Sequence, residues 1–145
     1  MRVFLCSYSS FTMAVPIDSV SSITIFREET GKKIEYNSEN GNTYISLPLL
    51  FDCGAEKIKH GIIIKNTAEM KIDYSAENRF ILLTTEIESE TNISDASIFS
   101  VPKNLGVTKF AHCFSSIIFN NNKEGLILLL NPLQLVKNIQ KELIK

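Results

Sequence analysis

The chain has 145 residues, with 15 Lys and Arg against 16 Asp and Glu and a formal net charge of -1. At 44% hydrophobic and 21% charged residues it has the composition of one globular domain, long enough to bury a real core. Scattered lysines and near-neutral charge exclude the usual electrostatic attraction to nucleic acid or to an anionic membrane.

The first clear period is that of a strand. Phe11, Met13, Val15 and Ile17 alternate with Thr12, Ala14 and Pro16, and Ile23 and Ile25 resume the alternation, so a half-buried strand is expected there. Pro16 has no N–H to give, which places its strand at an edge there or in a bulge. Residues 27–33 are polar and charged, and the turn signal Asn37-Ser38-Glu39-Asn40-Gly41-Asn42 predicts a hairpin. A strand follows over 44–50, with Pro48 inside it, and Asp52-Cys53-Gly54 closes it.

Further strands are expected over 61–65, 70–74 and 79–87, then a loop over 92–104 that contains Pro102, and an outlying strand over 107–111. Residues 114–119 and 126–130 form a natural antiparallel pair across a polar turn. The sequence then marks a helix start. Asn131 can cap it, Pro132 suits the first helical position, Gln134 completes a capping box, and Leu130 with Leu135 forms a hydrophobic staple. Leu135, Val136, Ile139 and Leu143 share one face, while Lys137, Lys141, Glu142 and Lys145 are left for solvent. That stripe is expected to cover the end of the domain. About nine short strands and one helix describe a sandwich or barrels, in one domain spanning residues 1–145.

The residues that could carry chemistry do not converge in sequence. Cys6, Cys53 and Cys113 are odd in number and flanked by apolar residues, so they read as small buried hydrophobes. His60 and His112 are the only histidines, and His112 and Cys113, as neighbours on a strand, would face opposite ways. No C-x-x-C or H-x-x-x-H spacing suggests zinc. Glu86, Glu88 and Glu90 share a strand face, read as solvated, and the six glycines form no phosphate cradle. No enzyme activity, cofactor or metal is expected. Val3, Phe4, Leu5 and Cys6 are too few for a signal-peptide core, and no run is long enough to span a bilayer, so a cytoplasmic protein without membrane insertion is expected.

Several phrases follow one another in a known order. Thr12-Met13-Ala14-Val15-Pro16-Ile17 with Val20, Tyr44-Ile45-Ser46-Leu47-Pro48-Leu49-Leu50 with Cys53-Gly54, Ile62-Ile63-Ile64, Ile81-Leu82-Leu83, Val101-Pro102 and the ending Leu130-Asn131-Pro132-Leu133 resemble the landmarks of the CheW-like family. All four prolines fall on family prolines. The resemblance implies an all-β fold of two small five-stranded β-barrels sharing a hydrophobic core, with a C-terminal α-helix. It also implies a scaffold without an active site, a monomer when isolated, that joins the regulatory domain of a chemotaxis histidine kinase to the cytoplasmic tip of a chemoreceptor. The partner-binding positions it implies are Val15, Ile17, Val20, Ser22, Asn40, Gly41, Ile45 and Leu47.

The chain departs from the family in its polar residues. The arginine of the family's Asn-Leu-Arg-Gly phrase has no counterpart beside Asn40-Gly41; Ser22 stands for a glutamate, Phe51 for an aspartate, and Thr84-Thr85 for a Val-Asp phrase. Two functions therefore remain: a divergent coupling protein in chemotaxis, and an interaction module of the same fold outside it.

Overall fold

The computed structural model describes residues 1–7, 12–25, 34–37, 41–47, 58–65, 79–94, 97–100, 113–119 and 127–144. The expected strands over 70–74 and 107–111, together with Asn40, Pro48, Phe51, Cys53, Pro102 and His112, lie outside these residues, as does the side chain of Leu143.

Eleven strands and one α-helix are present among the described residues. They are β1 (Arg2–Ser7), β2 (Thr12–Pro16), β3 (Val20–Ile25), β4 (Ile34–Asn37), β5 (Asn42–Ser46), β6 (His60–Ile64), β7 (Arg79–Thr84), β8 (Glu86–Asn92), β9 (Ile98–Ser100), β10 (Phe114–Ile118), β11 (Ile127–Leu130) and α1 (Pro132–Ile144). A six-stranded sheet has the order β8-β1-β2-β11-β10-β9, and a five-stranded sheet the order β3-β6-β7-β5-β4. The fold class is as expected, with six strands rather than five in the first sheet.

The chain passes between the sheets at two described places. A 3-10 turn at Ile17–Ser19 carries it from β2 to β3, and Lys65 N–H donates to Ser19 O at 2.9 Å to fix that turn against β6. It returns at Thr85, where the strand expected over 79–87 breaks into β7 of one sheet and β8 of the other. The break is held by partners far away in sequence: the Thr85 hydroxyl donates to Ser7 O, Lys59 N–H donates to Thr84 O at 3.0 Å, and His60 Nδ1 lies 3.4 Å from Thr85 O.

Three further expectations are corrected. β1 lies in a run read only for its lack of a signal peptide, yet it is central, pairing with both β2 and β8. The strand at Thr12–Pro16 is not half-buried: Met13, Ala14 and Val15 are all buried, because apolar residues pack on both faces of the sheet. Pro16 falls where its strand is locally an edge, as expected. It ends β2 opposite Val3, beyond the stretch paired with β11, where its missing N–H breaks no ladder. Finally, Ile98–Ser100 is a strand against β10 rather than loop.

Other expectations match. β4 and β5 form the hairpin, with Asn37 opposite Asn42, and Gly41 takes φ 70°, a conformation for which glycine pays no Cβ strain. β10 and β11 pair antiparallel, with Ile118 opposite Ile127.

The main core lies between the two sheets and under the helix. Cys6, Met13, Val15 and Leu130 enter it from the six-stranded sheet, Val20, Ile45, Ile62, Ile64 and Leu82 from the five-stranded sheet, and Leu135, Val136 and Ile139 from α1. The opposite face of the six-stranded sheet encloses Val3, Leu5, Ala14, Ile118, Ile127 and Leu129, and the far face of the other sheet gathers Ile58, Ile81 and Leu83.

The helix start is built as its residues suggest. Gln134 N–H donates to Asn131 Oδ1 at 3.2 Å, and Leu135 N–H to Asn131 O at 3.1 Å. The second half of the capping box is replaced: Gln134 Nε2 donates forward to Asn138 Oδ1 at 3.3 Å. Asn131 N–H donates to Cys113 O at 2.7 Å, and Asn138 Nδ2 meets Cys113 Sγ at 3.2 Å, so the helix is tied to the start of β10.

Because Leu135, Val136 and Ile139 have no solvent exposure, truncation before Leu133 is expected to remove on the order of 5–9 kcal/mol of burial, comparable with the whole stability of a small domain. The truncated chain should lose its cooperative thermal transition; a parental melting curve would show the helix to be dispensable. A subtler lesion is Gly61→Ala. Gly61 sits between β3 and β7, and a Cβ there would lie 2.8 Å from Ile81 Cγ2 and 3.2 Å from Thr24 Cγ2. The Ile81 methyl is fixed to a β-branched carbon and cannot swing away, so a loss of about 1–3 kcal/mol by urea denaturation is expected.

Candidate functional site

The eight positions implied as partner-binding separate into two groups. Val15, Ile45 and Leu47 have no solvent exposure and Val20 has 9%, and all four join the main core. They meet one another there: Val15 from β2, Val20 from β3, Ile45 at the middle of β5 and Leu47 just after it. Gly41 is buried in its turn, Asn40 lies outside the described residues, Ile17 is half-buried in the 3-10 turn, and Ser22 is exposed on β3.

The available surface lies beside the implied one. Beyond Val20, the whole of β3 from Ser21 to Ile25 is exposed. Ile23 pairs with Ile62 and so shares the face of the main core, yet it is 39% exposed. The expectation that Ile23 and Ile25 are half-buried therefore fails: alternation identifies one face of a strand, not whether another layer lies over it.

A second apolar patch was not apparent from sequence. Phe99 on β9 and Phe119 just after β10 are 50% and 53% exposed and meet edge to face, with ring centroids 5.2 Å apart and planes at 78°. Paired exposed aromatics of this kind are common anchors of protein interfaces. Reading residues 92–104 as loop hid Phe99; the signal present was the apolar pair Ile98-Phe99 between serines, upstream of the β10 run.

Among the described residues, the carboxylates of β8 have structural partners. Along β8, Glu86 pairs with Lys59 at 3.0 Å, Glu88 accepts from the Ser7 hydroxyl, and Glu90 pairs with Arg2. Among the described residues no three of His, Cys, Asp and Glu gather as metal ligands, and no helix is long and apolar enough to cross a membrane. Burial pushes the Cys6 thiol from 9.0 up to about 12; the Glu88 charge adds to the rise, and the neighbouring Thr84 hydroxyl works against it. Burial likewise pushes Cys113 from 9.0 up to about 11, opposed by its contact with Asn138. Both remain protonated thiols at neutral pH, unsuited to nucleophilic attack.

These thiols give the fold an alkaline limit. The unfolded chain loses both protons near 9.0, whereas the folded chain holds them to about 11 and about 12. Stability from this source is fully present below 9.0 and falls as pH rises through that window. Urea midpoints should therefore drop on the alkaline side, and Cys6→Ala should flatten the drop while lowering the neutral-pH midpoint. A water-soluble disulfide reagent should label Cys6 and Cys113 only as fast as the chain opens; immediate labelling of either would contradict their burial.

No family model matches the sequence, and no curated protein is similar to it in sequence. Among solved structures, the chain is similar to the scaffolding protein TtCheW from Thermoanaerobacter tengcongensis, with a TM-score of 0.62 and 13% identity over 89% of this chain and 87% of that chain. The likeness lies in the fold: two barrel-like sheets around a common core, closed by a C-terminal helix, are the architecture of a CheW scaffolding protein.

Proposed function

We propose that the chain is a non-enzymatic cytoplasmic adaptor in chemotaxis signalling, coupling the regulatory domain of a histidine kinase to the cytoplasmic tip of a chemoreceptor. The single observation that carries this reading is the match in fold to a scaffolding protein over nearly the full length of both chains. Its chemistry agrees, because the described thiols and carboxylates serve packing and ion pairs, while apolar side chains stand exposed on the sheets. The contact surface comprises Ile17 and Ser22, with Val15, Val20, Ile45 and Leu47 in the core.

The alternative is an interaction module of this fold outside chemotaxis. It is favoured by Ser22, which replaces a family glutamate at an exposed position and removes a charge that would select among partners.

Calorimetry against the cognate kinase regulatory domain distinguishes the two. Micromolar affinity is expected, as for transient signalling contacts, with Ile17→Asp weakening it by at least about tenfold and Ser22→Glu strengthening it. Val20→Asp is unsuitable as a surface probe, since it would place a charge in the core. Absence of binding to any such domain would leave the module outside chemotaxis as the function.

A further inference from the structure

Where the chain crosses from β7 to β8, the protein encloses a hydroxyl that it does not satisfy. Thr84 has no solvent exposure, lies on the same face of β7 as the core residue Leu82, and its Oγ1 has no hydrogen-bond partner. The Cys6 thiol lies beside it, equally buried and at best a weak partner for a hydroxyl. A hydroxyl shut away from water without a hydrogen bond carries the full cost of its desolvation. Closing the crossing is therefore paid for at Thr84.

The groups that close the crossing are ones that water can replace. The Thr85 hydroxyl donates to Ser7 O, the Ser7 hydroxyl donates to the half-buried Glu88 carboxylate, and Lys59 pairs with Glu86 in solvent. Partly exposed hydrogen bonds exchange for bonds to water at small net cost, and an exposed ion pair adds little. Ile87 is the single apolar residue between Thr84 and Ile93, and it is only half-buried. The register of β8 against β1 also shifts between Phe4 and Cys6, which interrupts the ladder beside the crossing.

We infer that the crossing is a conformational gate, in which Thr85 to Glu88 swing away from the end of β1 and admit water to Thr84 and Cys6 together while the rest of the main core stays packed. Opening trades the outer hydrogen bonds for bonds to water and gives the Thr84 hydroxyl the partner it lacks when the gate is shut. Local openings of this kind are drawn from places with little apolar burial to lose. Because β7 belongs to the five-stranded sheet and β1 to the six-stranded sheet, the gate lies on the seam between the two. The inference rests on the packing at the crossing and is independent of the adaptor reading.

Cys6 reports the opening. Its alkylation in the purified chain is followed by peptide mass mapping, which separates it from Cys53 and Cys113, at one pH and at urea concentrations from zero to the foot of the unfolding transition. At low urea Cys6 should react at least about tenfold faster than the globally unfolded fraction allows, with little dependence on urea because little surface is exposed. Thr84→Val replaces the hydroxyl with a methyl group of the same shape and should slow that reaction by about tenfold or more. Thr84→Ser keeps the hydroxyl and should not slow it. Labelling that follows global unfolding at every urea concentration, a Thr84→Val chain labelled as fast as the parent, or a Thr84→Ser chain slowed as much as Thr84→Val would each overturn the inference. None of these outcomes bears on kinase binding.

Discussion

The structure depends on one apolar cluster that neither sheet could complete alone. The six-stranded sheet contributes Met13 and Val15, the five-stranded sheet Ile45, Ile62 and Leu82, and the helix Leu135, Val136 and Ile139, all without solvent exposure. Since hydrophobic burial scales with area removed from water, each layer is stabilised by the other two. The two changes of sheet, at Ile17–Ser19 and at Thr85, are what allow one chain to surround that cluster. Both are fastened by hydrogen bonds to distant strands, the first in addition to its local bond from Val20 N–H to Ile17 O.

The same arrangement accounts for the state of the described thiols and of the carboxylates of β8. Cys6 and Cys113 are packed where a thiolate would lose its hydration, so burial holds them as thiols. The carboxylates of β8 occupy the opposite situation, at an edge, where Arg2, Ser7 and Lys59 partner them. Charge of this kind discourages pairing at an edge. Among the described residues, β3 and the aromatic pair of Phe99 and Phe119 leave apolar side chains exposed.

Thirteen per cent identity with a scaffolding protein is compatible with a TM-score of 0.62 because the fold depends on pattern and volume more than on particular side chains. Polar contact residues answer to a partner instead. A chain can therefore keep the core pattern of a fold while its exposed positions change.

Local signals in the sequence determined the elements whose stabilising groups are close together along the chain. The Asn131 cap with Pro132, the Gly41 hairpin and the pairing of residues 114–119 with 126–130 were legible for that reason. The apolar stripe of α1 was legible too, because helical spacing alone brings Leu135, Val136 and Ile139 to one face. Tertiary structure decided everything that depends on a second layer. Met13 to Val15 and Ile23 to Ile25 show similar strand periods, yet the first are buried on both faces and the second stand in solvent. Likewise Val15, Val20, Ile45 and Leu47 matched partner-binding positions by order in sequence and proved to be core, while the break at Thr85 and the strand at Phe99 were hidden inside continuous or polar stretches. Periodicity records which residues share a face; what covers that face is set by contacts between residues tens of positions apart, which no local window contains.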